Sequence, residues 1–137
     1  MKLSTEQKKQ IQQTLQSEIK QLKAIYLFGS YVDGSANKQS DIDLAFLSDS
    51  APTAIQKWEI ANTLANLLGA DIDLVDIAET DTIFRYQIIS TGERLYGSGY
   101  ELEAFETQTY GIYLHFQEER KPILDAIYAD RRIFHNG

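Results

Sequence analysis

The chain has 137 residues, 43% of them apolar, enough to bury a real core and too many for a chain disordered by composition. It contains no cysteine, which excludes disulfides and thiolate metal sites. A net charge of -7 gives no general attraction for nucleic acid, so direct nucleic-acid binding is not expected, and a phosphate compound would have to be met by local positive charge from a metal, a helix end or a few Lys and Arg.

The first sixteen residues, "MKLSTEQKKQIQQTLQ", lack an apolar signal core, and no apolar run is long enough to cross a bilayer. The expectation is a soluble, cytoplasmic protein. Residues 4–23 are predicted as a helix: Ser4 and Gln7 have capping-box spacing, and Ile11, Leu15, Ile19 and Leu22 form one apolar stripe. "AIYLFG" (24–29) is a strand closed by Gly29, and "SYVDGSANKQS" (30–40) is a polar loop. "DIDLAFL" (41–47) alternates, with Asp41, Asp43 and Ala45 on one face and Ile42, Leu44 and Phe46 on the other.

After the loop "SDSAPT", residues 53–68 are predicted as a helix with Ile55, Trp58, Ala61, Leu64, Ala65 and Leu68 on its buried side, stopped by Gly69. "DIDLVDI" (71–77) is a further strand. Thr80 or Asp81 caps a helix running to about Thr91, and "ERLYG" (93–97) is a short edge strand. A long amphipathic stretch follows from about 101 to 129, with a stripe of Leu102, Phe105, Thr109, Ile112, Phe116, Ile123 and Ile127, and Pro122 should kink or divide it. That stripe serves equally for packing on the chain's own sheet or for docking a partner. His115 and His135 suggest no special role. No linker separates domains, so residues 1–137 read as a single α/β (α+β) domain: a small mixed sheet flanked by helices, with a C-terminal helical segment.

Asp41 alone reads as a turn cap. Together, Asp41 and Asp43 lie on one face of a strand, roughly 7 Å apart along the backbone. Strands disfavour Asp, and paired carboxylates repel unless a cation or proton lies between them. Mg²⁺ takes one or two carboxylates and leaves positions for substrate phosphates. Gly29-Ser30 permits close backbone approach and supplies a hydroxyl, and free N–H groups of a helix turn begun there would favour an anion. Asp73, mid-strand in the second "DIDL", could join the pair in a two-metal site or accept a proton from an attacking hydroxyl. A calcium-loop reading of "DIDLAFLSD" lacks the required glycine and terminal glutamate.

"GS", ten residues, then "DID", with "IYLFGS", "SDIDLAF", "DIDLVDI" and "IISTGERLYG" in this order, resembles the DNA-polymerase-β-like nucleotidyltransferases, above all their minimal members. The likeness covers about residues 20–97. It implies Gly29 and Ser30 at the triphosphate of a nucleotide, Asp41 and Asp43 on Mg²⁺, and Asp73 as the third carboxylate, with two ions expected. Many relatives carry Arg just after the serine and again two residues on, where this chain has Tyr31 and Asp33. Lys38, Arg85 and Arg94 could assist the phosphates or be plain surface charges. Minimal members often accompany a small helical HEPN-type RNase toxin. The resemblance therefore implies an antitoxin that transfers AMP from ATP to a tyrosine of that toxin. Two alternatives remain: an antitoxin that acts by binding alone, and a small-molecule nucleotidyltransferase of the aminoglycoside-modifying kind.

Overall fold

The computed structural model describes the backbone of residues 1–135 and the side chains of residues 1–119, 121 and 122. Helix α1 is Thr5–Glu18, opened by the reciprocal Ser4–Gln7 capping box. It ends earlier than the apolar stripe suggests. Gln21 takes a left-handed φ of 56°, and strand β1, Leu22–Phe28, starts at once. The corner is held by Asp49 N–H donating to the Gln21 carbonyl and Ser50 Oγ–H donating to that of Lys20. Leu22 thus leaves the helix to pair with Ser48.

A one-turn helix, α2 (Ser30–Asp33), follows Gly29 inside what the sequence reads as loop. Strand β2 is Ile42–Ser48, helix α3 Ala54–Leu68 and strand β3 Ile72–Asp76. A 3₁₀ turn, Ile77–Glu79, leads to helix α4, Thr82–Thr91, capped by Asp81, and then to strand β4, Glu93–Tyr96. The order across the sheet is β3-β2-β1-β4. The β1 pairings are antiparallel, while β2 and β3 run parallel with α3 as their crossover, as a parallel pair requires. The expected mixed sheet flanked by helices is what forms.

Alternation divides the strand side chains into two cores. Ile25, Leu27, Ile42, Leu44 and Phe46 bury against Ile11 and Leu15 of α1 and Ile60 and Leu64 of α3. Ala24, Tyr26 and Ala45 bury on the opposite face with Ile88 of α4 and Leu102 of the last helix. That helix, α5, is Tyr100–His135, a single element through Pro122, where the sequence predicts a kink or a division. The proline removes one N–H donor, and the turns on either side carry the helix through. The predicted stripe holds from Leu102 (2% exposed) to Thr109 (1%) and lets go at Phe116 (41%). Ile123, Ile127 and His135 lie outside the described side chains.

Helix α3 overturns one expectation. Ile55 and Trp58 are 70% and 67% exposed, while Ile60 and Leu64 are buried. The helix carries two overlapping apolar arcs, and the parallel β2–β3 crossover turns the Ile60–Leu64 arc to the sheet. Leu64→Ala should therefore cost about 2–5 kcal/mol of stability, whereas Trp58→Ala should stay within about 0.5 kcal/mol. Urea unfolding of the two variants measures the contrast, and equal losses would restore the predicted stripe.

Candidate active site

The sheet register sets three side chains in a row. Phe28 at the end of β1 pairs directly with Asp43 of β2, and Asp43 pairs directly with Asp73 of β3. Directly opposed residues share a face, so all three project toward the α4–α5 side of the sheet. Asp41 stands one step before β2 and is exposed; the carbonyl of Asp71, opposite, accepts the Ile42 N–H at 2.9 Å. Asp71 itself remains at the rim. Asp76 takes no part in the row. It is buried and caps the 3₁₀ turn by accepting the Ala78 N–H.

Gly29 is shaped by Asp43. Its φ is 76°, and a Cβ placed on it would lie 2.1 Å from Asp43 Oδ2. Glycine is required there twice, for the backbone conformation and for the room the carboxylate occupies. Ser30 follows as the first residue of α2, half-buried, and no side chain caps that turn. The sequence-predicted Gly29, Ser30, Asp43 and Asp73 thus converge at one end of the sheet, with Asp41 at their edge.

The electrostatics are unbalanced. Among the described residues none of the three carboxylates has a Lys, Arg or His partner. Burial, then the charges of Asp73 and Asp41, push the Asp43 carboxyl up from 3.8 to about 6. The neighbours therefore raise the free energy of its ionised form. Among the described residues no trio of His, Cys, Asp or Glu converges tightly enough to hold a metal ion as it stands. Asp43 and Asp73 stand in register and Asp41 lies at their edge, an open arrangement rather than a closed cage. The donors are all oxygens, which suits a hard cation such as Mg²⁺.

The cations that the sequence suggests as helpers are engaged elsewhere. Arg85 donates to the carbonyls of Ile77, Ala78 and Thr80 and lies over the Phe105 ring. Arg94 pairs with Glu106 at 3.3 Å. Lys38 is exposed and borders hollows beside Gly69, on the side of the α3 terminus. Tyr31 is buried with its hydroxyl toward Met1, and Asp33 accepts the N–H and hydroxyl of Ser35. Tyr31 and Asp33 are thus committed to folding the loop. Sequence reasoning missed the aromatic wall: Phe84 of α4 meets Phe28 edge-on at 5.7 Å. Strand alternation, which already sets Phe28 on the face of Asp43, was the available signal.

The polymerase beta nucleotidyltransferase family model matches residues 9–101. The protein adenylyltransferase MntA of Shewanella oneidensis is 39% identical over 116 residues, covering 85% of this chain and 84% of that protein. Among solved structures, a toxin–antitoxin complex with AMP-PNP is similar at TM-score 0.77 and 37% identity, over 88% of this chain and 98% of that one. A complex of a tri-AMPylated Shewanella oneidensis HEPN toxin with its MNT antitoxin gives TM-score 0.75 and 34% identity, over 92% and 99%. Among the described residues no helix is long and apolar enough to cross a membrane.

The raised Asp43 carboxyl makes stability depend on pH with a definite sign. Between 3.8 and about 6 the folded protein binds a proton that the unfolded chain has released, so this site's contribution to stability falls as pH rises through that window. In metal-free buffer, Asp43→Asn should match the parent in Tm near pH 4, exceed it increasingly up to about pH 6 and by a steady margin above that. A constant difference across the range would contradict the assignment.

Proposed function

The chain belongs to the polymerase beta nucleotidyltransferase family, and from that premise we propose that it is an antitoxin that transfers AMP from ATP to a tyrosine hydroxyl of a HEPN-type RNase partner. The observation that carries the reading is the in-register row of Asp43 and Asp73 beside a glycine whose missing side chain makes room for Asp43. A relative 39% identical over most of both chains is named for that same activity. In this reading residues 1–137 act as one minimal nucleotidyltransferase domain in the cytoplasm, where a cysteine-free chain is at home.

Transfer forms a bond between the tyrosine oxygen and the α-phosphorus and breaks the bond from that phosphorus to the bridging oxygen. The bond pair leaves with pyrophosphate. Such a step demands positioning and charge neutralisation from an enzyme. Gly29 and Ser30 bind the triphosphate through backbone approach and the Ser30 hydroxyl. Asp41, Asp43 and Asp73 would hold Mg²⁺, two ions in the fullest arrangement, and the metal when bound neutralises the phosphate oxygens and lowers the barrier to attack. Asp73, the exposed member of the row, is placed to take the tyrosine proton on a carboxylate oxygen. Phe28 and Phe84 wall the site on the β1 side.

A purified partner incubated with ATP and Mg²⁺ should gain AMP by intact mass, and EDTA should prevent it. Asp41→Asn combined with Asp43→Asn should abolish transfer while the partner still binds. Activity equal to the parent would refute the metal assignment, and a parent that binds and neutralises the partner without modifying it would establish the binding-only alternative. Asp73→Asn should lower kcat by about a hundredfold or more with a smaller effect on ATP affinity; lost ATP binding at unchanged kcat would contradict its role.

A further inference from the structure

Beside the carboxylate row lies an open groove of about 700 Å³, bordered by Thr80, Asp81, Ile83, Phe84 and Gln87 of the α4 entry and by Phe116 of α5. We propose that this groove seats the acceptor-bearing segment of the protein partner, an apolar stretch flanked by Lys or Arg. The inference rests on the proposed function and specifies how its acceptor is held.

Position is the first argument. Phe84 forms a wall of the groove and meets Phe28 edge-on at 5.7 Å. Phe28 is in turn directly opposed to Asp43. The groove and the carboxylate row are therefore separated by two side chains, within reach of a long side chain projecting from a seated segment. Surface chemistry is the second. Ile83 and Phe116, 44% and 41% exposed, lie in the lining with Phe84 and give the groove an apolar surface.

Charge selects the kind of occupant. Among the described residues Asp81 is the one charged side chain in the lining, and the chain as a whole carries -7. The start of α4 is already closed to anions: Asp81 Oδ1 accepts the Phe84 N–H at 2.8 Å. A triphosphate is thus disfavoured, and a basic-flanked polypeptide is complementary. The seat is also preformed. Arg85 ties down the carbonyls of Ile77, Ala78 and Thr80 at 3.2, 3.0 and 3.1 Å, fixing the segment that leads into the groove. A fixed surface costs less ordering on binding.

The test uses the full chain, its purified HEPN partner and ATP. The photoreactive substitutions Ile83→p-benzoylphenylalanine and Phe116→p-benzoylphenylalanine should cross-link to a partner peptide neighbouring the modified tyrosine, and Trp58→p-benzoylphenylalanine, on the other layer, should not. Ile83→Lys combined with Phe116→Lys, checked for an unchanged Tm, should raise KM for the partner about tenfold and leave KM for ATP within about twofold. Cross-linking to 8-azido-ATP, a raised KM for ATP alone, or an unchanged KM for the partner would overturn the proposal, the first two by making the groove a nucleobase seat. If the parent transfers no AMP at all, the proposed function falls, and the cross-links decide the groove independently.

Discussion

The contact between Asp43 and Gly29 is the constraint on which the site depends. A carboxylate is pressed against the Cα of a left-handed glycine, where any side chain would collide with it. Two things must hold for that contact to exist. The β1–β2 register must oppose Phe28 to Asp43, and the chain must turn sharply into α2 immediately afterwards. A one-residue slip of β2 would turn Asp43 into the α1–α3 core and turn Ile42, Leu44 and Phe46 out of it, a burial that no ionised carboxylate tolerates unpaired. The core residues of β1 and β2 and the acidic row therefore specify one another: the same alternation that fills the α1–α3 layer points the acids at the other.

That arrangement leaves charge uncompensated at the end of the sheet, one carboxylate half-buried and two exposed. Among the described residues no cationic side chain answers the three carboxylates, and Asp43 responds by holding its proton to about pH 6. A fold selected for stability alone would have replaced the row with neutral residues, since one buried polar or charged group left unpaired costs more than most surface contacts return. The sheet carries this cost because both of its faces are packed, with Ile25, Leu27 and Leu44 on one side and Tyr26 and Ala45 on the other fully buried. Strain localised at a site and supported by a surrounding core is the pattern expected where function, not folding, chooses the residue.

Strand positions were readable because period-two alternation and the closing glycines are local signals: β2 and β3 fall within a residue of where the sequence puts them, and the short β4 is indeed an edge strand. Helix faces and ends were less readable, for a physical reason. In α3 two apolar arcs compete, and only the direction in which β2 hands the chain to β3 decides that Leu64 goes in and Trp58 stays out. At the end of α1 the apolar stripe continues through Leu22, but the hydrogen bonds that stop the helix come from Ser50 and Asp49, some thirty residues away. The site was legible as residue types: Gly29, Ser30, Asp41, Asp43 and Asp73 could all be named. Their alignment into a row depends on the parallel β2–β3 register, which no single stretch encodes. Phe84 belongs to the same class of long-range fact, arriving at Phe28 from a helix more than fifty residues on.

The loop after Ser30 makes the division of labour sharper. Tyr31 is spent on the core and Asp33 on a turn with Ser35, so the positions that could have carried phosphate-binding arginines instead fold the segment. Arg85 and Arg94 are likewise engaged, one with backbone carbonyls and the other with Glu106, which also accepts the Tyr26 hydroxyl. With these guanidinium groups occupied, the proposed triphosphate site at Gly29-Ser30 would draw its counter-charge from cations that arrive with the nucleotide. Affinity for nucleotide and affinity for metal are then thermodynamically linked, each raising the other by the same factor. An acidic enzyme of this kind repels free polyanions, RNA included, while its acidic surface attracts a basic protein, so the charge that burdens the carboxylate row also favours the protein acceptor over the nucleic-acid one.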